Sequence, residues 1–314
     1  MRSSNEPCSQ RDLVNKPVTA PIFDVQRFSI HDGPGIRSVI FFKGCNLSCA
    51  WCQNPESQEV SPVVSFYENR CEESFACAEV CPQNAIERQG FRINYESCNN
   101  CMACVEACSF GALRTVGNNY SPEGLFAKLL LDLPYYKSSG GGVTFSGGEP
   151  TLYPKFIDQV LNFCHIDEIH TTLETCGTYS QKRWQPILGK FDLIYFDLKI
   201  IDETRHKSAT GASNKQILAN ARDLVACGLN VEFRLPLVPG YTDDEENLAG
   251  VVALLEELGQ TRLHLLSYHN MGETKIDIIN GPQKKLGLSA YSPERLAHVR
   301  EWLTDKGIEV LTED

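Results

Sequence analysis

Three cysteines in one short stretch are the residues of this sequence best suited to metal chemistry. Cys45, Cys49 and Cys52 are separated by three and two residues, and they follow an apolar run at residues 38–42. Iron–sulfur clusters are held by cysteine thiolates at such short spacings. A tetrahedral metal site usually has four ligands, so this loop leaves one position open, as reactive metal sites do. The spacing therefore predicts an iron site that can bind and activate a small molecule.

The composition limits the class of protein to which this site can belong. The chain has 314 residues, of which 42% are hydrophobic and 22% charged, which is typical of globular proteins. Its net charge of −11 argues against a nucleic acid partner. No window approaches the roughly 18 apolar residues of a membrane span, and the start lacks the apolar segment of a secretory signal. We therefore expect no membrane association and a flexible polar tail over residues 1–20.

The cysteines indicate metal binding rather than a disulfide framework. Ten of the fourteen fall between Cys45 and Cys108 at short spacings. Disulfide frameworks belong to small secreted domains, whereas dense thiols in a chain of this kind favour metal and a cytoplasmic location. The remaining four are interpreted as free, buried thiols that pack as small hydrophobes: Cys8, Cys164, Cys176 and Cys227.

Apolar runs that alternate with amphipathic segments predict a parallel α/β sheet. The runs lack the polar alternation of half-exposed strands, which fits strands covered on both faces. The predicted strands are residues 38–42, 143–145, 169–173, 193–196, 231–235 and 263–266. Predicted helices follow at residues 154–164, 181–188, 215–227, 244–258 and 293–304, and one begins at Ser121. Six strands favour a partial (β/α)6 TIM-like barrel over a closed eight-stranded one, with residues 308–311 as a candidate seventh strand.

One segment interrupts the alternation of strands and helices. Residues 62–116 contain seven cysteines and few long apolar runs. We interpret this segment as an inserted small domain. The barrel then consists of residues 21–61 and 117–314, and its length of about 240 residues is near that of a (β/α) barrel.

Polar groups lie at or just after the end of every predicted strand. Catalytic residues in α/β barrels gather at the carboxyl ends of the strands, so these groups are expected in one pocket. After the Cys45 loop, the groups in strand order are Gly147, Gly148 and Glu149; Glu174; Asp197 and Lys199; Arg234; and Tyr268 with His269. Any one of them has an ordinary explanation, because paired glycines occur in turns and single charged residues on surfaces. Together they offer the cations and acceptors that a zwitterionic, ribose-bearing ligand such as S-adenosylmethionine needs.

Several motifs in combination resemble those of a known family. They are Asp32-Gly-Pro-Gly-Ile-Arg37 within residues 23–37, residues 42–45, Trp51-Cys-Gln-Asn-Pro-Glu56, residues 140–150, Asp197-Leu-Lys199 and Tyr268-His269. With these motifs the chain resembles the glycyl-radical enzyme activating enzymes of the radical S-adenosylmethionine (radical SAM) superfamily, a group that includes the pyruvate formate-lyase activase. The similarity extends over nearly all of the chain beyond the tail.

The resemblance implies a role for each candidate residue. Cys45, Cys49 and Cys52 would hold a [4Fe-4S] cluster whose open iron binds the amine and carboxylate of S-adenosylmethionine. The cofactor contacts would come from Trp51 and Gln53 at the nucleotide, Gly147, Gly148 and Glu149 at the methionine end, and Glu174, Asp197, Lys199, Arg234 and His269. Asp32 would help to receive the glycine-bearing segment of the substrate. A tight Gly-Pro turn remains the alternative explanation of its motif.

The resemblance also implies a reaction and its partners. The reduced cluster would cleave S-adenosylmethionine to methionine and a 5′-deoxyadenosyl radical, which would abstract a hydrogen from a backbone glycine of a separate glycyl-radical enzyme. A flavodoxin or ferredoxin would supply the electron, in an anaerobic cytoplasm. Two alternatives remain open: another radical SAM enzyme acting on a small molecule or peptide, and a non-catalytic electron-transfer protein.

The insert resembles a two-cluster bacterial ferredoxin, in which the fourth cysteine of each run ligates the other cluster. The second run, Cys98, Cys101, Cys104 and Cys108, is complete, but the first reads Cys71, Ser74, Cys77 and Cys81. The crossed pattern predicts one full site, formed by Cys81, Cys98, Cys101 and Cys104. It leaves Cys71, Cys77 and Cys108 with three thiolates. Ser74 as an alkoxide, a distant thiol such as Cys8, or a three-iron cluster would each resolve the deficit, and a structural zinc site is the remaining alternative.

Overall fold

A nine-stranded sheet forms the centre of the computed structural model, which describes residues 17–279 and 283–311. The strands of the described residues, numbered β1 to β11, are Ala20–Ser29, Arg37–Phe42, Val63–Phe66, Leu113–Val116, Asn118–Tyr120, Gly142–Gly147, His170–Thr175, Leu193–Asp197, Val231–Leu237, Arg262–Ser267 and Glu309–Leu311. The sheet has the order β5-β1-β2-β6-β7-β8-β9-β10-β11, and β3 and β4 form a separate pair. The chain therefore has the α/β fold predicted from its sequence.

Seven consecutive strands of this sheet, β2 and β6 to β11, are parallel. They include all six predicted strands, and β11 is the candidate seventh. Their apolar side chains form the main core of the protein; Phe145, Leu173 and Phe196 are fully buried. Since both faces of these strands are covered, the nearly continuous apolar runs were the correct signal.

The helices of the described residues, α1 to α11, are Ala76–Glu79, Ala103–Glu106, Pro122–Leu129, Leu133–Ser139, Pro154–Ile166, Gln181–Leu188, Glu203–Thr210, Lys215–Ala226, Glu245–Glu257, Met271–Ile279 and Pro293–Asp305. The six predicted helices are present. The oxygen of Ser121 accepts from Gly124 N at 3.1 Å at the start of α3, as expected of an N-cap. No helix among the described residues is long and apolar enough to cross a membrane.

Two antiparallel strands at one edge of the sheet were not predicted. Strand β1 pairs with β2 from Ile22↔Phe42 to Ser29↔Arg37, and it pairs with β5 at its start. The second half of β1 is mostly exposed or half-buried, so it lacks a continuous apolar run. The strand begins at Ala20, the last residue of the predicted tail, and Ala20 is fully buried. Residues 1–16, including Cys8, lie outside the described residues.

The register places the loop between β1 and β2 at the opposite end of the sheet from the Cys45 loop. Arg37 pairs with Gly142 at the start of β6, whereas Phe42 pairs with Gly147 at its end. Residues 30–36, which carry the Asp32 motif, therefore lie at the amino ends of the parallel strands, while the cysteine loop follows their carboxyl ends.

Residues 62–116 build a small unit with its own apolar cluster. Strands β3 and β4 pair from Val63↔Val116 to Phe66↔Leu113, and the two four-residue helices α1 and α2 lie between them in the chain. A separate cluster of buried residues lies here: Val64, Phe66, Ile93, Cys104, Ala112 and Leu113. So small a core is typical of domains that rely on metals for stability.

Candidate active site

The loop that carries Cys45, Cys49 and Cys52 is anchored to the carboxyl end of α7. The backbone N–H of Ser48 donates to Thr210 O at 2.8 Å, and that of Ala50 donates to Ala209 O at 2.9 Å. These bonds hold the middle of the loop against the sheet. The three thiols consequently line one cavity at the carboxyl ends of the parallel strands.

This active-site cavity has a volume of about 520 Å³ and brings together nearly all the predicted site residues. The predicted residues that line it are Asp32, Cys45, Cys49, Trp51, Cys52, Gln53, Gly147, Gly148, Glu174, Asp197, Lys199, Arg234 and His269. They come from the loops or ends of six parallel strands and from the β1–β2 loop. The volume is within the usual range for small-molecule and cofactor sites.

Glu149 is the exception, because its side chain does not line the cavity. The carboxylate is fully buried. Its Oε1 accepts hydrogen bonds from Thr151 N and Thr175 Oγ1 at 3.0 and 2.9 Å, and its Oε2 accepts from Cys176 N at 2.9 Å. That Glu149 holds the cofactor stays a prediction; in this structure its carboxylate joins the ends of β6 and β7.

Gly147 and Gly148 approach the backbone of the neighbouring strand as well as the cavity. Gly147 has a φ of +114°, and a Cβ atom there would lie 2.2 Å from Phe42 N. The Gly148 N–H donates to Phe42 O at 2.8 Å. Only glycine tolerates both the dihedral angle and the contact. Gly147 and Gly148 thus form a tight turn and border the cavity at the same time.

A chain of charged groups crosses the cavity wall from β8 to β6. Lys199 Nζ lies 3.3 Å from Asp197 Oδ2, and Arg234 Nε lies 2.9 Å from Asp197 Oδ1. Arg234 Nη1 continues the chain to Glu174 Oε1 at 2.6 Å, and Ser146 Oγ donates to Glu174 Oε2 at 2.5 Å. Two cations thus offset two carboxylates, which lets four ionisable side chains share a largely buried wall.

Burial and pairing shift the pKa values of these groups in different directions. Burial raises the pKa of the Glu174 carboxyl, although Arg234 opposes the shift. Burial acts in the same sense on Asp197, but Arg234 and Lys199 together outweigh it and lower its pKa. The pKa values of Lys199 and Arg234 are raised because the adjacent carboxylates outweigh the effect of burial. Lys199 and Arg234 are therefore cations at neutral pH.

The residues after the third cysteine connect the loop to the last part of the sheet. Gln53 Nε2 donates to His269 O at 2.9 Å, and Gln53 Oε1 accepts from Gly272 N at 3.0 Å. Trp51 is buried, with its ring 5.3 Å from that of Tyr241. Burial, with a smaller contribution from Lys275, lowers the pKa of His269, so its ring is neutral at pH 7.

Arg37 connects the Asp32 loop to strand β6, a role that the sequence did not reveal. Its Nη1 donates to Pro34 O at 2.8 Å and its Nε donates to Thr144 Oγ1 at 2.7 Å. Thr144 Oγ1 in turn donates to Asp32 O at 2.7 Å. These bonds allow Asp32 to reach the active-site cavity from the amino ends of the strands.

Further cavity residues were missed, Cys176 and Arg300 among them. Cys176, interpreted from the sequence as a buried thiol, is indeed buried but also lines the cavity, and its thiol lowers the pKa of the neighbouring Cys45 thiol. Its position directly after β7 was an available signal. Arg300 reaches the cavity from the middle of α11, for which no local sequence signal exists.

The described cysteines are all free thiols. Cys164 is buried as predicted. Cys227 is exposed, which corrects the prediction that it packs as a small hydrophobe; it caps the carboxyl end of α8 at the surface.

The cysteines of the insert line two separate cavities. One, the Cys81 cavity, is lined by Cys81, Cys98, Cys101 and Cys104 together with apolar and amide side chains. The other, the Cys71 cavity, is lined by Cys71, Cys77 and Cys108 together with Ser74 and Arg92. This grouping is the crossed one, in which the last cysteine of each run joins the other run.

Comparisons with known proteins agree with this architecture. The family model described as the radical SAM superfamily matches residues 101–252, and the one described as a 4Fe-4S dicluster domain matches residues 63–109. The crystal structure of Streptococcus suis SuiB bound to precursor peptide SuiA has a TM-score of 0.54 and 18% identity, covering 88% of this chain and 48% of that one. The fold and the site thus define a radical SAM enzyme with an iron–sulfur insert.

Curated relatives resolve the family further. The isethionate sulfite-lyase activating enzyme of Nitratidesulfovibrio vulgaris is 37% identical, over 91% of this chain and 97% of the relative. The trans-4-hydroxy-L-proline dehydratase activating enzyme of Clostridioides difficile is 38% identical, over 89% and 94%. The chain belongs to the glycyl-radical enzyme activating enzymes of the radical SAM superfamily. It is an enzyme that generates a radical from S-adenosylmethionine to activate a partner glycyl-radical enzyme.

Proposed function

We propose that Cys45, Cys49 and Cys52 hold the [4Fe-4S] cluster at which S-adenosylmethionine binds. The observation that carries this proposal is the single cavity into which the three thiols and the charged wall both open. No group of three cysteine, histidine or acidic side chains in the described part of the chain could hold one metal ion. In a cluster each thiolate binds a different iron, so the three sulfurs need not lie within reach of one metal ion.

The remaining residues of the cavity bind and orient the cofactor. The ammonium group of Lys199 donates one hydrogen bond within the described residues, to Asp197, so its other donors can reach the methionine carboxylate. Asp197, Glu174 and Arg234 hold one another in place and supply polar groups for the amine and the ribose. The backbone of Gly147 and Gly148 adjoins the methionine end, and Trp51, Gln53 and His269 adjoin the nucleotide.

Asp32 receives the glycine-bearing segment of the partner. When bound, the reduced cluster and S-adenosylmethionine supply the 5′-deoxyadenosyl radical, which takes a hydrogen from the α-carbon of the glycine. Asp32 approaches from the end of the sheet opposite the cysteines, so a peptide in the cavity would lie between Asp32 and the three cysteines. The Arg37 network holds the backbone of Asp32 in position before a peptide enters.

The insert, residues 62–116, is proposed to carry two further clusters and to relay electrons from a flavodoxin or ferredoxin. The two cysteine-lined cavities support two clusters rather than one. Residues 21–61 and 117–314 form the catalytic unit, which we propose is a partial (β/α)6 barrel. Oxygen-sensitive clusters and reduced thiols favour an anaerobic cytoplasm as the location.

The partner is proposed to be a glycyl-radical enzyme of the kinds activated by the relatives. The chain is 37%, 38% and 36% identical to the activating enzymes of isethionate sulfite-lyase, trans-4-hydroxy-L-proline dehydratase and (2S)-3-sulfopropanediol dehydratase. These identities are too similar to favour one of the three as the partner. We propose that the surface that decides between partners lies outside the cofactor residues.

Activation can be tested directly. The reconstituted protein is incubated anaerobically with S-adenosylmethionine, dithionite and each of these three glycyl-radical enzymes. A glycyl-radical doublet in the electron paramagnetic resonance spectrum of one mixture is expected, with 5′-deoxyadenosine as product. Cys49→Ala should abolish both signals. Cleavage of S-adenosylmethionine without a glycyl radical in any mixture would leave the partner assignment unsupported, whereas no cleavage at all would contradict the cofactor assignment.

A further inference from the structure

The Cys71 cavity is lined by a buried cation, Arg92, of which one N–H group lacks an acceptor. Arg92 is 6% exposed and lines the cavity. Its Nη1 donates to Glu87 O at 3.0 Å, and its Nη2 donates to Cys71 Sγ at 3.7 Å and lies 3.8 Å from Oε1 of the exposed Glu73. Its Nε has no hydrogen-bond partner within the described residues. A buried N–H without an acceptor is unfavourable. An anionic, sulfur-rich group in the cavity would satisfy it, so the three-thiolate site has the surroundings of an occupied cluster.

The two cysteine runs have the same local structure, position by position. Cys71 corresponds to Cys98. Cys77 corresponds to Cys104, and both of these lie in four-residue helices. At the second position, Ser74 corresponds to Cys101, and both side chains are exposed.

The backbone around Ser74 has the conformation found around the predicted ligand Cys101. The residues on both sides of each have positive φ angles: +52° at Glu73 and +56° at Phe75, +53° at Asn100 and +64° at Met102. Left-handed conformations are unfavourable for residues other than glycine and persist where the surroundings require them. At Cys101 they present a ligand to the Cys81 cavity. At Ser74 the same loop places a hydroxyl at the wall of the Cys71 cavity.

We propose that Ser74 Oγ is the fourth protein ligand of an iron–sulfur cluster held by Cys71, Cys77 and Cys108. On binding, the Oγ–H bond breaks, the proton passes to solvent and an Fe–Oγ bond forms, with no transfer of electrons. Arg92 supplies positive charge beside the resulting anionic site. The proposal rests on the proposed role of the insert in holding clusters, but not on the identity of the partner enzyme.

The experiment uses the full chain with Cys45, Cys49 and Cys52 all changed to alanine, so that its spectra report on the insert alone. This parent is compared with Ser74→Ala and Ser74→Cys by iron and sulfide content and by electron paramagnetic resonance. The parent is expected to contain two four-iron clusters and no oxidised three-iron signal. Ser74→Ala should lose one iron per chain and show that signal. Ser74→Cys should keep its iron. The reduction potential of the cluster in the Cys71 cavity should rise, because a thiolate ligand stabilises ferric iron less than an alkoxide ligand does.

Cys101→Ser is the matched control, since it places the same ligand in the equivalent loop. It should also keep its iron. Retention of iron and unchanged spectra in Ser74→Ala would overturn the proposal, as would a three-iron signal in the parent or loss of iron in Cys101→Ser. Loss of iron in Cys8→Ala would overturn it in favour of the distant thiol. A parent without any iron would contradict the cluster role of the insert itself, which distinguishes that failure from the failure of the ligand assignment.

Discussion

Arg234 and Asp197 occupy directly paired positions on strands β9 and β8, and Arg234 Nε donates to Asp197 Oδ1 at 2.9 Å. The same guanidinium donates from Nη1 to Glu174 on β7 at 2.6 Å. One side chain thus connects three neighbouring strands at the cavity wall. The planar, forked guanidinium suits this double contact, which a lysine could not reproduce.

Arg234→Gln should weaken both cofactor binding and stability. The substitution leaves Glu174 and Asp197 buried without their shared cation, and breaking such a buried pair costs about 3–5 kcal/mol. We expect the KM for S-adenosylmethionine to rise at least tenfold and the denaturation midpoint to fall. Arg234→Lys should have an intermediate effect. Cleavage kinetics and denaturant titrations measure the two effects.

Arg222→Gln is the matched control for that change. Arg222 pairs with Glu257 at 2.6 Å, but both side chains are about half exposed. An exposed pair of this kind contributes roughly 0–1 kcal/mol. Equal losses in the two variants would show that the Arg234 cluster has no special role.

Gly147→Ala should disrupt the methionine end of the site. The added Cβ would lie 2.2 Å from Phe42 N, at a φ of +114°. Strain of this kind costs at least about 1–3 kcal/mol and must displace the turn that borders the cavity. We expect a large loss of S-adenosylmethionine binding in equilibrium dialysis. Gly189→Ala, whose Cβ would meet only Leu229 Cδ2 at 4.0 Å, should bind normally.

Cys101→Ala combined with Cys104→Ala should separate two routes of electron delivery. If the insert relays electrons, removing two ligands of the Cys81 cavity should slow S-adenosylmethionine cleavage driven by reduced flavodoxin at least tenfold. Cleavage driven by dithionite, a small reductant that reaches the Cys45 cluster directly, should be nearly unchanged. Equal rates with flavodoxin in the variant and the unaltered protein would exclude the relay.

Asn220→Leu should destabilise the loop that follows β7. Asn220 is fully buried, and its Nδ2 donates to Gly177 O at 2.7 Å and to Tyr179 O at 2.9 Å. Leucine would leave both carbonyls without this donor, at a cost of about 1–3 kcal/mol for each unsatisfied group. A lower denaturation midpoint is expected. Asn230→Ala removes an exposed donor and should change stability by about 0.5 kcal/mol or less; a similar fall in both variants would contradict the argument.

Local patterns in the sequence carried much of the fold and the site. The spacing of Cys45, Cys49 and Cys52 requires no knowledge of distant contacts, because a loop of eight residues brings its own thiols together. The parallel strands were equally evident, since strands covered on both faces are apolar along their length. Parallel strands also share one carboxyl end, so the polar residues after them could be expected in one cavity.

The tertiary structure decided what depends on partners distant in sequence. The second half of strand β1 lacks a continuous apolar run, and the strand is recognised by its pairing with β2 and β5. The Glu149 carboxylate accepts hydrogen bonds from residues at the end of β7, and Arg300 reaches the cavity from α11. Short spacings and apolar periodicity are written into consecutive residues, whereas hydrogen-bond partners and cavity walls exist only once separate segments pack. The sequence by itself therefore determined the chemistry available, and the packing decided which side chains are free to perform it.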